Sequence, residues 1–534
     1  MTSERKRRGI NPLKLVFALE YVLQGLVNPF QGITYQPFLK HLHGLGLDDA
    51  AVQSLYGKSY LAWSFKPAIG FLMDAYGRTR TALIVLLAVA AAGFLLAPLV
   101  AGGPFSFFWV VFTISVVLSA TDVAVDRATV IVGAEEAAST GRSRSTAVGL
   151  NQAICWAAVY GTLIISAAAG GYVAEHVPFK GLLMSLAVVP LILMVFVLRL
   201  PRDRAATIPL RRSIAEFWRG LNTGPVLGVF AFYFVFFFQP SVGTIWTDHL
   251  MHNLGFSQPH AGLSDSAGYA GYFVGVLLFA WKGVKWQERI GLRRLFGIYI
   301  VVMAVLSLSK YLLVDPWFSA ITGRLHGALP FLNTGSLRLG FLCACSFVLA
   351  MGDSVVKMST FSVAGAVIPA AAAGSLFAGM MSVNNLAYSA SYNSGAWLYA
   401  YGMELGVLRG VQSALFGIGG GPGQALSMQM LILIGSAAYL VSFALLPALP
   451  DRRATLAKTV DESGTPGPDA ALPARLRVAV DVGAVVIGVA FLLLAMLRWK
   501  VGPIPAVLTA FFGVTVIRRL VVVGLARTVV EKPR

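Results

Sequence analysis

The chain has 534 residues, of which 57% are hydrophobic and only 12% charged, with a mean hydropathy of +0.73. Soluble domains carry about a quarter charged residues, so this composition excludes a soluble globular enzyme. Apolar runs near helix-spanning length recur along the chain, which also excludes a lone anchored ectodomain and an outer-membrane barrel of alternating strands.

The net charge of +18 is read as topology, with basic loops facing the cytoplasm, and nucleic acid is not an expected partner. All three cysteines, Cys155, Cys343 and Cys345, lie inside apolar runs, so neither a disulfide framework nor a CxxC metal pattern is expected. No cofactor is expected either.

The chain opens on Arg5-Lys6-Arg7-Arg8, followed by a long apolar run without an obvious small-residue cleavage site. That pattern predicts an uncleaved first span near 14–36. Further spans are expected near 52–73, 81–101, 106–132, 147–170 and 179–199. A basic polar segment follows, with Arg202, Arg204, Arg211, Arg212 and Arg219. Six more spans are expected near 225–248, 262–281, 295–314, 339–363, 372–400 and 427–448. Beyond a polar, turn-rich stretch lie two further runs, near 478–497 and 502–520.

The expected organisation is an N-terminal six-helix bundle (1–200), a cytoplasmic basic linker (201–224) and a C-terminal six-helix bundle (225–449). A second cytoplasmic linker (450–477) and an appended helical hairpin with tail (478–534) complete it. The fold class is all-α and polytopic, with two bundles related as repeats. With the N-terminus inside, the inner loops hold Arg78, Arg80, Arg142, Arg144, Lys282, Lys285, Arg289, Arg293, Arg294, Arg452 and Arg453. The outer loops hold only scattered cations, so both termini are placed in the cytoplasm. The hairpin fits this less well, because Arg498 and Lys500 would lie outside.

In the second span, Trp63-Ser64-Phe65-Lys66-Pro67 places a lysine beside a helix-kinking proline. Lys66 either contacts substrate or snorkels to the nearby cytoplasmic surface. Next comes Gly70-x-x-x-Asp74-x-x-Gly77-Arg78-Thr79-Arg80. An acid at a helix end, a glycine turn and two arginines make an ionic gate that holds neighbouring helices in one state and releases them in another. The plainer reading is an ordinary positive-inside turn.

The fourth span carries Asp122 and Asp126, four apart and therefore on one helical face, followed by Arg127 on another. Charge at bilayer depth costs at least ~2.5 kcal/mol and is functional by default. The pair is assigned to proton coupling or to an interhelical ion pair that locks the bundle. The fifth span offers Asn151, Gln152 and Trp156.

The tenth span echoes the fourth, since Asp353 and Lys357 both lie 231 positions after Asp122 and Asp126. That spacing marks an internal duplication. It gives the second half a cation for an anionic substrate, or alternatively a self-neutralising pair within one helix. The eleventh span holds Gly374 to Asn385, whose small residues permit close packing. Its Asn384 and Asn385 either contact ligand or join helices.

Most histidines, including His41, His43, His249 and His252, fall near outer helix ends and read as interfacial residues, not metal ligands. The spans lack HExxH and GxSxG, against an intramembrane enzyme.

Taken in order, these segments resemble the folate–biopterin transporter family, a branch of the major facilitator superfamily. The resemblance rests on Trp63-x-x-Lys66-Pro67-x-x-Gly70 with Asp74, Asp122-x-x-x-Asp126, and Asn151-Gln152 to Trp156 with Gly170-Gly171. In the second half it adds Leu254-Gly255-Phe256-Ser257, Gly262, and Gly374 to Asn385 with Gly395. The chain departs from the family at Pro369-Ala370-Ala371-Ala372-Ala373-Gly374, where an acidic residue is usual.

The resemblance implies twelve core helices in a major-facilitator arrangement and proton-coupled uptake of folates or pterins. A flat ring bearing donors, acceptors and a carboxylate tail suits aromatic faces, amides and cations in an apolar cavity. The expected substrate-binding set is Lys66, Arg127, Gln152, Trp156, Lys357, Asn384 and Asn385, with Asp122, Asp126 and Asp353 for coupling or ion pairing. Gly70, Asp74, Gly77, Arg78 and Arg80 form the expected cytoplasmic gate. The expected protein is a monomer in the cell membrane, a bacterial inner membrane, working on a small organic anion and protons. Competing readings are a carrier of another metabolite, a drug exporter, an intramembrane enzyme or a non-transporting sensor.

Overall fold

The computed structural model of the chain describes residues 12–140, 144–199, 209–221, 224–240, 242–367, 373–449 and 521. The expected linker at 450–477, the runs near 478–497 and 502–520, and Arg142, Arg202 and Arg204 lie outside the described residues. The described residues are helical, with no strand among them.

The first span is two helices, α1 (Pro12–Val27) and α2 (Tyr35–Gly44). Between them Pro29 lacks an amide donor and Gly32 takes a left-handed φ of +67°. The second is three, α3 (Asp49–Ser59), α4 (Leu61–Ser64) and α5 (Lys66–Tyr76). Asp48 caps α3 by accepting from the Ala51 amide at 2.7 Å, and Pro67 occupies the first turn of α5. Gly77 closes α5 in the left-handed conformation, its amide donating to the Met73 carbonyl.

The next spans are α6 (Thr79–Val100), α7 (Pro104–Thr140) and α8 (Arg144–His176), then α9 (Phe179–Leu186) leading into α10 (Val188–Leu198). A short helix, α11 (Leu210–Leu221), lies within the expected basic linker. The seventh span breaks between α12 (Gly224–Phe237) and α13 (Gly243–His252), at Gln239-Pro240. The eighth runs from α14 (Gln258–Leu278) through a π-turn, Phe279–Gly283, into α15 (Val284–Ile290).

The remaining elements are α16 (Leu292–Leu308), α17 (Trp317–Ala328), α18 (Thr334–Val367), α19 (Ala373–Tyr401), α20 (Gly406–Phe416) and α21 (Met428–Val441). Two of these, α17 and α20, fall in loops between expected spans. On α20, Val407, Val411 and Leu415 are exposed at helical spacing, the pattern of a helix lying in the membrane interface.

Eight helical stretches among the described residues are long and apolar enough to cross a membrane: 79–100, 104–129, 149–176, 179–198, 258–283, 292–313, 334–363 and 428–448. They coincide with eight of the twelve expected spans. The other four, the first, second, seventh and eleventh, are interrupted or polar. Irregular backbone and polar side chains at membrane depth are tolerated only where protein buries them, and these four do face protein. Helix α19 packs along α3, α4 and α5, and α13 packs on α3. The first and second sets of six spans therefore meet along a polar seam.

Lipid-facing surfaces lie elsewhere. Val85, Val89, Leu96 and Leu99 of α6, Leu191, Ile192 and Val195 of α10, and Ile298, Val301, Val302 and Val305 of α16 are exposed. Two glycines fix the seam at the end remote from the basic loops. A Cβ on Gly171 of α8 would stand 2.5 Å from the Gln258 carbonyl oxygen, and one on Gly262 of α14 would stand 2.7 Å from that of Ala167. Only hydrogen lets these two helices approach so closely.

Candidate functional site

A buried polar cluster lies inside the first six spans. Lys66, at the start of α5 and only 2% exposed, donates to Asp122 Oδ2 on α7. Gln24 of α1 turns its amide nitrogen to both acids, donating to Asp122 Oδ1 at 2.8 Å and to Glu20 Oε1 and Oε2 at 2.8 and 2.9 Å. The Thr121 hydroxyl also donates to Glu20 Oε1, at 2.9 Å.

One turn along α7, Asp126 Oδ1 accepts from the Tyr21 hydroxyl at 3.1 Å and from Gln152 Nε2 at 3.0 Å. Its other oxygen has no partner. Gln152 also donates to Thr129 Oγ1 at 3.0 Å, and Asn151 to the Thr129 carbonyl at 3.4 Å. The site thus sets three buried carboxylates, Glu20, Asp122 and Asp126, against one lysine.

Glu20 and Gln24 were not among the expected site residues. The signal was present: an acid and an amide four apart on one face of an otherwise apolar helix. Their partner is about a hundred positions away in sequence, so spacing alone does not connect them.

Beside this cluster, aromatic residues of both halves form a second region at the seam. The Lys357 ammonium lies 3.9 Å from the centre of the Trp156 ring and 3.5 Å from the Tyr160 hydroxyl. Tyr160 stacks on Tyr272 with ring centres 4.8 Å apart, and Trp156 lies 5.5 Å from Phe361 and 5.9 Å from Tyr21. Asp353 turns to the Tyr272 hydroxyl, which donates to it at 2.7 Å. Asp353 and Lys357 therefore share a helix but not an ion pair. The ring nitrogens of Trp63 and Trp156 and the amide oxygens of Gln152, Asn151 and Asn384 are buried without partners. Such groups are costly to leave unpaired and are available to a polar ligand.

The remaining expected residues lie elsewhere. Asn385 donates to the Trp63 carbonyl at 3.2 Å, joining α19 to the second span. Arg127 points away from the carboxylate cluster, its Nε donating to Asp74 Oδ1 at 2.9 Å. Asp74 Oδ2 accepts from the Ser213 hydroxyl of α11 at 3.0 Å. Arg80 reaches the Leu198 carbonyl at 2.6 Å, linking α6 to α10. Gly70 is buried, Gly77 makes the turn, and Arg78 precedes α6. Asp74, Arg127 and Ser213 thus tie the second and fourth spans to the linker helix at the basic end, while Arg80 ties the third span to the sixth.

At the opposite end the seam is closed by hydrogen bonds between the two sets of spans. Gln36 donates to Asp265 Oδ2 at 3.0 Å, Ser54 to Asn393 Oδ1 at 3.1 Å, and Gln53 to the Tyr392 carbonyl at 3.2 Å. Tyr35 and Thr247 share a hydroxyl contact at 3.2 Å, and Ser389 donates to the Gly57 carbonyl at 2.6 Å. His43 meets Asp248 at 3.0 Å. That hydrogen bond is the main reason the His43 imidazole is held above its ordinary pKa.

Among solved structures, the fold is similar to that of a D-xylose–proton symporter, with TM-score 0.54 and 16% identity over 82% of this chain and 98% of that one. It is likewise similar to the nucleoside transporter NupG in a variant form, with TM-score 0.54 and 15% identity over 82% and 99%. The human organic anion transporter MFSD10 (TETRAN) gives TM-score 0.51 and 13% identity over 83% and 100%. A comparison with curated protein sequences finds no match.

These neighbours establish the major-facilitator fold, and the long apolar helices make the chain a multi-pass membrane protein. A sequence profile of the BT1 family matches residues 24–471. The chain therefore belongs to the BT1 family, the folate–biopterin transporters, whose members act on small-molecule substrates.

Proposed function

We propose that the chain is a secondary active transporter that moves a folate, a pterin or a closely similar organic anion by alternating access, coupled to protons. The moving bodies are residues 1–200 and 225–449, joined by 201–224. The basic end and both termini face the cytoplasm of a bacterial cell, the protein lies in its inner membrane, and it works as a monomer.

The observation that carries the reading is Lys357. Its ammonium rests on the Trp156 face at the seam, while the nearest acid on its own helix is engaged by Tyr272. A cation held on an aromatic face without a carboxylate favours a carboxylate-bearing ligand. Trp156, Tyr160, Tyr272 and Phe361 surround it with flat surfaces suited to a fused ring. Gln152 and Asn384 supply amide contacts, and Lys66 and Asn385 line the second-span side. Arg127 acts with Asp74 in the gate formed by Gly70, Gly77, Arg78 and Arg80.

Proton coupling is supported by charge balance. If all ionised, Glu20, Asp122 and Asp126 would carry two more negative charges than Lys66 neutralises, at positions almost fully buried. Uncompensated charge there is expensive, so the cluster is suited to taking up and releasing protons as the halves move. The names of two similar folds, a proton symporter and an organic anion transporter, are compatible with this class.

The test is uptake of radiolabelled folate into proteoliposomes after a pH jump. Asp122→Asn and Asp126→Asn should abolish proton-driven accumulation while leaving ligand binding measurable. If both variants accumulate substrate as the wild type does, the coupling assignment fails. If the wild type takes up neither folate nor pterin but another anion, the transporter stands and the substrate does not.

A further inference from the structure

The seam at the end opposite the basic loops contains a group of side chains that the transport cycle above does not use. His43 closes α2, Asp49 opens α3, and Asp248 lies on α13 of the other half. Their potential donor atoms all lie within 4.8 Å of one another. Asp248 is only 1% exposed, and its Oδ2 has no hydrogen-bond partner.

The His43 ring is held toward these acids by two contacts. Its Nδ1 lies 3.0 Å from the Leu47 carbonyl oxygen, and its Nε2 lies 3.0 Å from Asp248 Oδ1. A carbonyl only accepts, so Nδ1 carries the hydrogen and donates it. Nε2 therefore faces the Asp248 carboxylate, where either a proton or a metal cation can bridge nitrogen and oxygen. An imidazole whose Nδ1–H is fixed by a backbone carbonyl, with Nε2 aimed at acidic oxygens, is the arrangement that orients metal-binding histidines.

We propose that His43, Asp49 and Asp248 form a binding site for a divalent transition-metal ion of the zinc class, which clamps the two halves together at this end. One nitrogen and two carboxylates suit such an ion, whose ligands at about 2.0–2.2 Å stand roughly 3.3 Å apart around a tetrahedron. The two acids match its charge. His252, one helical turn after Asp248 with its ring centre 6.4 Å from that of His43, or a water takes the fourth position. The Tyr399 hydroxyl, 3.5 Å from Asp49 Oδ2, stands behind the acid.

Asp248 belongs to the second half while His43 and Asp49 belong to the first. Bound metal therefore stabilises the conformation closed at this end and is lost when the halves part. The proposal rests on the transport reading only for the consequence of the clamp and the side on which it lies. Metal binding itself does not depend on it.

The experiment uses the purified full-length protein titrated with Zn²⁺ by calorimetry, and with Co²⁺ by visible absorption. The wild type should bind one Zn²⁺ per chain and show the d–d bands of a four-coordinate Co²⁺ site. His43→Ala and Asp248→Asn should each weaken Zn²⁺ binding at least tenfold, whereas His41→Ala on the same helix should not. Asp49→Asn serves if Asp248→Asn does not fold. Absence of saturable Zn²⁺ binding by the wild type, or unchanged binding by the variants, overturns the site. In proteoliposomes, Zn²⁺ on the side of this end should inhibit uptake by the wild type and not by His43→Ala. Equal inhibition of both overturns the clamp. If no uptake is seen at all, the calorimetry still decides the metal site.

Discussion

Lys357 lies 3.9 Å from the centre of the Trp156 ring, so the cation of the tenth span is held by an aromatic face of the fifth. Its helical neighbour Asp353 bonds to Tyr272 instead. The two halves are thus joined at the seam by a contact that leaves the ammonium without a carboxylate partner. A cation–π contact contributes about 0.5–2 kcal/mol. Trp156→Leu should therefore weaken binding of the transported anion by roughly 2- to 30-fold, with Trp156→Phe closer to the wild type. Lys357→Gln should weaken it more than either. Ligand-induced thermal shifts of the purified protein measure all three.

Lys66 and Asp122 form the ion pair at the centre of the carboxylate cluster. Removing one member of a buried pair leaves a bare charge and costs about 3–5 kcal/mol. Lys66→Met alone should therefore lower the melting temperature sharply. Combining it with Asp122→Asn should restore much of the stability without restoring proton-driven accumulation. A double-mutant cycle on thermal denaturation checks the coupling. Simple additivity of the two effects would mean that the pair contributes no interaction.

Glu20 was linked to this cluster by Gln24 and Thr121 and not by its own sequence position. Glu20→Gln removes one of the three acids while keeping its shape. The pH dependence of uptake should change, and the variant should remain folded, because an amide can still accept from Thr121. The measurement is the uptake rate across a range of internal and external pH. A profile identical to the wild type would remove Glu20 from the proton-binding set.

Ser213 fastens helix α11 to Asp74 at 3.0 Å, next to the Arg127 contact. Ser213→Ala deletes one hydrogen bond to a charged acceptor, worth about 1.5–3 kcal/mol. Hydrogen exchange in residues 210–221 should accelerate while ligand affinity stays near the wild-type value. Unchanged exchange in that helix would show that Phe217, packed against Phe71 at 5.2 Å, holds it without the serine.

Ser54 and Asn393 meet at 3.1 Å across the closed end of the seam. The pair Ser54→Cys with Asn393→Cys should cross-link under mild oxidation, arrest transport and recover it on reduction. The native Cys155, Cys343 and Cys345 are buried or half-buried and far along the chain, so each single variant is the control. Full transport by the oxidised double variant would show that the halves need not part here.

The helices were legible because membrane insertion imposes local rules. Twenty apolar residues, basic loops and glycine or proline punctuation are properties of short segments, and the eight long apolar spans follow from them directly. The shared face of Asp122 and Asp126 was legible for the same reason, since helical spacing fixes it. So was membership of the family, carried by an ordered set of motifs over residues 24–471.

Partnership between helices was not legible. Whether Lys66 reaches Asp122 or the membrane surface depends on how the second span packs against the fourth. That Arg127 turns to Asp74, that Asp353 and Lys357 part company, and that Glu20 joins the acids depend on the same packing. Sequence fixes which side chains share a face of one helix. Only tertiary structure decides which faces meet, because that choice is made by shape and by the cost of leaving buried charge and hydrogen bonds unpaired.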